Sequence, residues 1–287
     1  MNKKFLNILG IFIIISFIIF SFTFHNIVYT SLIESAQIFL YKVFPFLFIM
    51  MILNKILILF NFPYYFSKLI PNPYLYIFIM SALGGSPINA LILDNFLKNK
   101  YLTEHEASLI LSFTTLNNPL FIYNYLQLIF TNNYLIFKIM AYLYLSNFLI
   151  LIFISIKNHK AKWQLNYQQF KLKTEFINTL KSSIYNLISI FAIIAFFKLL
   201  CDITFQHNNL YTILAKGLIE ITQGLNALTS FAINNNIKRI MVLIIIIWGG
   251  FSIHIQISNI LDEYNINYKY FYLSRLILII GSLILLL

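Results

Sequence analysis

From Phe5 to Phe24 the chain runs about twenty residues without a charged side chain. Comparable runs, each carrying one charge at most, follow at Phe44–Asn61, Tyr134–Ile156, Ile184–Leu200, Ile240–Ile257 and Tyr270–Leu287. A helix crossing a bilayer needs roughly 20 mainly apolar residues, because about 30 Å of hydrocarbon is spanned at about 1.5 Å per residue. Hydrocarbon offers the backbone no hydrogen bonds, so runs of this length are expected to be helical. Composition agrees: 60% of the 287 residues are hydrophobic and 10% are charged, against about 45–50% and 25% in soluble domains. There is too little polar surface to cover a water-exposed globule. The expectation is an all-α, polytopic helical bundle in the cell membrane, with the lipid bilayer as its first partner.

The net charge is +11. In a soluble domain that would suggest nucleic acid. Here the cations gather at the ends of apolar runs and in short loops, notably Lys157, Lys160, Lys162, Lys171 and Lys173. That is the pattern of the positive-inside rule, so no nucleic-acid partner is expected. Lys3 and Lys4 assign the N-terminus to the cytoplasm. The run behind them is longer than the apolar core of a signal peptide and no small-x-small site follows it, so it reads as a first transmembrane helix. Cys201 is the single cysteine, which excludes an intrachain disulfide and a cysteine-based metal cluster.

Charge placement organises the chain into residues 1–35 (first span and connection), 36–157, a basic cytoplasmic loop at 158–174, and 175–287. Within 36–157 the order is a span over Ala36–Asn61, an apolar stretch over Tyr74–Phe96 ending near Lys98 and Lys100, an interrupted span, and a return over Tyr134–Ile156. A re-entrant hairpin at Tyr74–Phe96 puts both lysine groups on the cytoplasmic side, whereas a full crossing puts them outside; the charges favour the hairpin. Residues 175–287 follow the same order: Phe176–Ile203, Leu210–Phe231, Ile237–Leu261 and a last span from Tyr268. The halves then have opposite orientations, the plan of two inverted repeats. Lys238 and Arg239 fall on the outer side and count against it. Thr103 and Glu106 have the spacing of a capping box and predict a helix start.

The breaking residues are concentrated. Six of the eight glycines occur as Gly84-Gly85, Gly217 with Gly224, and Gly249-Gly250, while Pro87 and Pro119 interrupt apolar runs. Broken helices in hydrocarbon survive only where they are buried or line a polar cavity, and such breaks point to a binding site near the midplane. Ser86-Pro87 and Asn118-Pro119 each set an N-cap residue before a proline suited to the first helical position. Both predict helices that begin inside the membrane and present free N–H groups and a partial positive charge. Ordinary proline kinks are the alternative.

The second half carries Glu220 in an apolar stretch, followed by Thr222 and Gln223. A buried carboxylate is by default a functional hypothesis; the alternative is an interfacial acid paired with Lys216. In Trp248-Gly249-Gly250-Phe251-Ser252-Ile253-His254-Ile255-Gln256, Ser252, His254 and Gln256 face one side if the segment is unwound. If it is helical, Ser252 and Gln256 still share a face. Ser112, Thr114 and Thr115 read as packing residues, and Glu104-His105-Glu106 as a helix start. The expected solute-binding residues are Gly84, Gly85, Ser86, Pro87, Asn89, Asn117, Asn118, Pro119, Glu220, Thr222, Gln223, Gly249, Gly250, Ser252, His254 and Gln256. No HExxH, Walker A, GxSxG or GxGxxG pattern occurs. No enzymatic activity, cofactor or metal is therefore expected.

These motifs resemble, in order, those of the YlbJ-type sporulation integral membrane proteins within the nucleoside-recognition (Gate) domain superfamily. The Gly-aromatic-Pro-x-Gly-Ala motif of that family is matched, with altered spacing, by Gly84-Gly85-Ser86-Pro87-Ile88-Asn89-Ala90. The Ser-Phe segment is matched by Ser112-Phe113 through Asn117-Asn118-Pro119, the Glu-Ile-Thr-x-Gly piece by Glu220 to Gly224, and the Gly-Gly-hydrophobic-Ser piece by Gly249 to Gln256. The resemblance covers roughly Phe44 to Arg275. It implies a transporter-like fold related to concentrative nucleoside carriers. For the sporulation family it also implies movement of a small dicarboxylate such as dipicolinate between mother cell and forespore. The leading reading is a permease for a small polar or anionic solute. A nucleoside or nucleobase carrier and a non-transporting membrane scaffold are the alternatives, and a homo-oligomer is compatible with each.

Overall fold

The computed structural model describes residues 22–70, 72–157 and 172–286, together with Ile11, Ile15, Ile18 and Ile19. Most of the first expected span, Phe5–Phe24, and residues 158–171 of the basic loop lie outside the described residues.

Every regular element among the described residues is helical. Helix α1 (His25–Leu59) contains one π-helical turn at Phe39–Val43. It starts well before the Ala36 expected from hydropathy. Its polar residues do not end it, because their hydroxyls bond the helix's own carbonyls: Thr30 Oγ1 donates to Asn26 O at 2.9 Å and Ser35 Oγ to Leu32 O at 2.8 Å. A short helix α2 (Phe62–Leu69) leads into α3 (Pro73–Gly84) and α4 (Ile88–Lys98), then α5 (Glu104–Thr114), α6 (Pro119–Ile129) and the long α7 (Asn133–Lys157). The second half consists of α8 (Leu172–Thr204), α9 (Leu210–Ile219), α10 (Ile221–Ser230), α11 (Asn235–Trp248), α12 (Phe251–Ile260) and α13 (Lys269–Leu286). The predicted capping box is present: Thr103 Oγ1 accepts from Glu106 N at 3.2 Å, and Thr103 N donates to the Glu106 carboxylate at 2.9 Å.

Four helical stretches among the described residues are long and apolar enough to cross a membrane: α1, α7, α8, and α11 with α12 taken together. The protein is thus a polytopic all-helical membrane protein. Burial separates these stretches. In the most apolar part of α11–α12, 72% of the residues are inside the protein, against 22%, 28% and 39% for α1, α7 and α8. The outer helices turn large apolar side chains outward, such as Leu145 and Leu149 on α7 and Tyr185 and Ile188 on α8. On a soluble protein such a belt would be a liability; against lipid it is the expected surface. The core is formed by the shorter helices, where Tyr76, Phe96, Ile110, Phe113, Leu225, Val242 and Ile245 are buried.

Ions anchor the outer layer. The buried Lys198 of α8 binds Glu34 of α1 at 2.8 Å and Asp202 at 2.7 Å. Two opposing charges thus hold a lysine that would otherwise be costly to bury.

Candidate functional site

The chain breaks regular structure between α3 and α4, α5 and α6, α9 and α10, and α11 and α12. At the first break Gly85 takes φ +78°, and a Cβ there would lie 2.5 Å from Asn118 N. The residue must therefore be glycine for both conformation and space. Ser86 N donates to Leu116 O at 2.7 Å, so the first break is hydrogen-bonded to the second. The expected cap at Ser86 is corrected by the structure. Helix α4 begins only at Ile88, with Pro87 at the N-cap position and no side-chain cap. Because its N–H is held by Leu116, Ser86 stays in the turn ahead of the helix, and its Oγ has no partner within the protein. The Ser86–Pro87 peptide bond is cis.

At the second break the expected cap is present. Asn118 Oδ1 accepts from Leu120 N at 2.8 Å and Phe121 N at 3.3 Å, with Pro119 in the first turn of α6. Asn118 Nδ2 donates to Leu83 O at 2.8 Å, satisfying a carbonyl at the end of α3. Asn117 Nδ2 reaches Ile246 O at 3.1 Å and links the two halves, while Asn117 O accepts from Tyr144 OH at 2.7 Å. Asn89 donates to Thr115 Oγ1 at 3.2 Å. Ser112, Thr114 and Thr115 bond carbonyls of their own helix, as packing residues do.

The third break folds the chain back on itself. A Cβ on Gly224 would lie 2.3 Å from Gly217 Cα, although a continuous helix would hold positions seven apart about 10 Å from one another. Glu220 sits at the bend as the N-cap of α10; its carboxylate accepts from Gln223 N at 3.0 Å and from the Thr222 hydroxyl. It is buried. Pairing with Lys216 is ruled out, because the Lys216 ammonium turns to Asn208 Oδ1 at 2.8 Å.

At the fourth break Gly249 and Gly250 have φ of +82° and +80°. A Cβ on Gly250 would lie 2.9 Å from Ile221 N, so the third and fourth breaks touch as the first and second do. Residues 251–260 are helical, and Ser252 and Gln256 share a face as the helical alternative required. That face excludes His254, a correction to its expected place in the solute site. His254 Nε2 pairs with Trp248 O at 2.8 Å, and its ring packs among Trp248, Phe271 and Tyr272.

The four breaks line one cavity of about 60 Å³. Of the expected residues, Ser86, Pro87, Asn117, Asn118, Glu220, Thr222, Ser252 and Gln256 face it. Gly84, Gly85, Asn89, Pro119, Gln223, Gly249 and Gly250 do not line it; Gly85, Gly250 and Pro119 shape the turns behind it. Ser252 Oγ, Gln223 Nε2 and Asn89 Oδ1 are buried without a hydrogen-bond partner in the protein. Of these only Ser252 lines the cavity, together with the unpartnered Ser86 Oγ.

One cation lines the cavity and a second ties the broken helix ends behind it. Lys42, on the π-helical turn of α1, lines the cavity; its Nζ donates to Asn226 Oδ1 at 3.0 Å and lies 4.9 Å above the Tyr125 ring. Arg275, buried on α13, donates to Thr115 O at 2.9 Å, Ser112 O at 3.0 Å and Ile247 O at 3.4 Å. It thus satisfies carbonyls that α5 and α11 leave free at their broken ends. Trp248 does the same for α9, through Nε1 to Leu218 O at 3.1 Å. The signal for both cations was a single charge in the middle of an apolar run, which by itself marks a functional hypothesis.

Comparison of the chain with family models, with curated proteins and with solved structures returned no match.

Proposed function

We propose that the chain is a permease or secondary transporter for a small polar solute of anionic character, with the cavity between the four breaks as its binding site. The observation that carries this is convergence: four interruptions spread from residue 85 to residue 250 bring polar side chains to one cavity, whose remaining wall is apolar. A bundle with only a scaffolding role would gain stability from continuous helices, since every break leaves backbone groups to be satisfied by other means.

The charged and polar groups on the cavity wall support an anion. Helices α4 and α12 start at its wall without any side-chain cap, so their positive dipole ends lie beside it, although Ile88 N donates to Gly85 O at 2.9 Å and Ile253 N to Gly250 O at 3.2 Å. Beside the start of α12 stands the unpartnered Ser252 hydroxyl. Lys42 is the one cation among the lining residues and has no ion pair among the described residues. Glu220, the one lining carboxylate, is held by Thr222 and Gln223.

In each half a long helix is followed by two broken pairs and a closing helix: α1, α3/α4, α5/α6, α7, and then α8, α9/α10, α11/α12, α13. This order supports two inverted repeats, 36–157 and 175–287, with the folded-back pairs as re-entrant hairpins. The basic loop 158–174 and the N-terminus then lie on the cytoplasmic side. The resemblance to YlbJ-type sporulation proteins suggests a small dicarboxylate such as dipicolinate. A cavity of about 60 Å³ is smaller than sites of about 300–1,000 Å³ that enclose drug-sized ligands, so solute entry requires the breaks to part. For a nucleoside, one of the polar groups expected to bind it, the Asn117 amide, is already committed to Ile246 O.

The test is uptake into proteoliposomes of dipicolinate, other small carboxylates and nucleosides, for the wild type and Glu220→Gln. Saturable uptake of a carboxylate, lost with the substitution, is the expected result. Saturable uptake of a nucleoside alone would replace the anion with the nucleoside reading. No uptake of any solute by a folded sample would overturn the transporter reading in favour of a scaffold.

A further inference from the structure

A cavity of about 740 Å³ lies on the outer side of the bundle between α5, α7 and α13. Its polar groups are confined to one end. His105 stands at the start of α5, Lys157 at the end of α7 and Tyr270 at the start of α13. These three helix ends coincide, and the His105 and Tyr270 rings meet edge to face at 6.0 Å. One to two turns further along the same helices the walls become apolar, with Phe153 and Leu149 on α7 and Leu273 and Ile277 on α13. These four side chains are largely exposed, so the groove is open along its apolar length.

A cationic mouth above an apolar slot is the shape of an amphiphile with an anionic head and a hydrocarbon tail. Neither acid in the first turn of α5 lines the groove. Glu106 is turned back onto Thr103 to close the capping box.

We propose that this groove binds an anionic phospholipid, its phosphate on Lys157 and His105 and one acyl chain along Phe153, Leu149 and Ile277. The floor gives such a lipid a route to the solute site. Ser112 and Ser274 line the groove, and Ser112 O is the acceptor shared by Arg275 at 3.0 Å and Ser274 Oγ at 2.7 Å. A chain seated here presses on the anchor that also holds the broken ends of α5 and α11.

The experiment is lipid retention by the full chain in mixed vesicles of phosphatidylglycerol and phosphatidylcholine, read by native mass spectrometry after detergent extraction. One phosphatidylglycerol per chain is expected in preference to phosphatidylcholine. Lys157→Gln should lower that preference about five-fold, the effect of removing one lysine beside an anionic headgroup. Lys138→Gln, on the same helix but outside the groove, should not change it. Equal retention of both lipids, or a preference that survives Lys157→Gln, overturns the proposal, as does a dimer that buries this face and excludes lipid. Retention does not depend on uptake, so this result stands or falls separately from the transporter reading.

Discussion

Gly85 and Gly249 both have positive φ, yet alanine is expected to affect them very differently. Gly249 has φ +82° and ψ −5°, the left-handed helical region, and the nearest atom to an added Cβ is Ile253 Cδ1 at 3.8 Å. Gly249→Ala therefore carries only the conformational cost, about 1–2 kcal/mol. Gly85 has φ +78° and ψ 175°, a region essentially restricted to glycine, where a side chain costs about 1–3 kcal/mol. In addition its Cβ would lie 2.5 Å from Asn118 N. Backbone cannot rotate away as a side-chain tip can, so overpacking adds about 1–3 kcal/mol. Gly85→Ala should then be less stable than Gly249→Ala by about 2 kcal/mol, or about 4–8 °C in Tm for a chain of this size. Thermal unfolding of the two variants in the same detergent measures the difference. Displacing Asn118 also disturbs the start of α6 at the cavity wall, so uptake should fall with Gly85→Ala and persist with Gly249→Ala. Equal melting temperatures, or a larger loss for Gly249→Ala, would refute the close approach of the first two breaks.

Arg275→Met removes short hydrogen bonds to Thr115 O and Ser112 O; charged donors contribute about 1.5–3 kcal/mol each, so a loss of at least about 3 kcal/mol is expected in detergent unfolding. Arg275→Lys should restore little of it, because an ammonium lacks the planar fork that reaches separate carbonyls. Asn118→Ala removes a helix cap, a loss of about 1 kcal/mol, and leaves Leu83 O without its side-chain donor, so Tm should fall measurably. His254→Gln should leave the KM for solute unchanged in the uptake assay, because His254 faces away from the cavity.

The places where helices break were legible because the residues responsible act locally. Gly249-Gly250 supplies positive φ, Asn118-Pro119 supplies both a cap and a first-turn proline, and Thr103 with Glu106 closes a box within one turn. Ser86 shows where local reasoning stops. Its spacing to Pro87 is that of a cap, but the bond from its N–H to Leu116 O, a partner thirty positions away in sequence, sets the backbone instead. Lys42 and Arg275 stood in the sequence as lone charges in apolar runs, and nothing nearby named their partners. Those partners, Asn226 for one and the ends of α5 and α11 for the other, come from distant segments. His25, Asn26 and Glu34 lowered the hydropathy of residues 25–35, which hid a helix whose hydroxyls are satisfied internally and whose charge is paired with Lys198.

The most direct test of the cavity as the solute site is a single cysteine at Ser252, introduced by Ser252→Cys in a Cys201→Ser background. A small charged thiol reagent is applied with and without the solute found by uptake. The account predicts that modification abolishes uptake and that saturating solute slows the modification. Full modification with uptake intact, or a modification rate indifferent to solute, would contradict it.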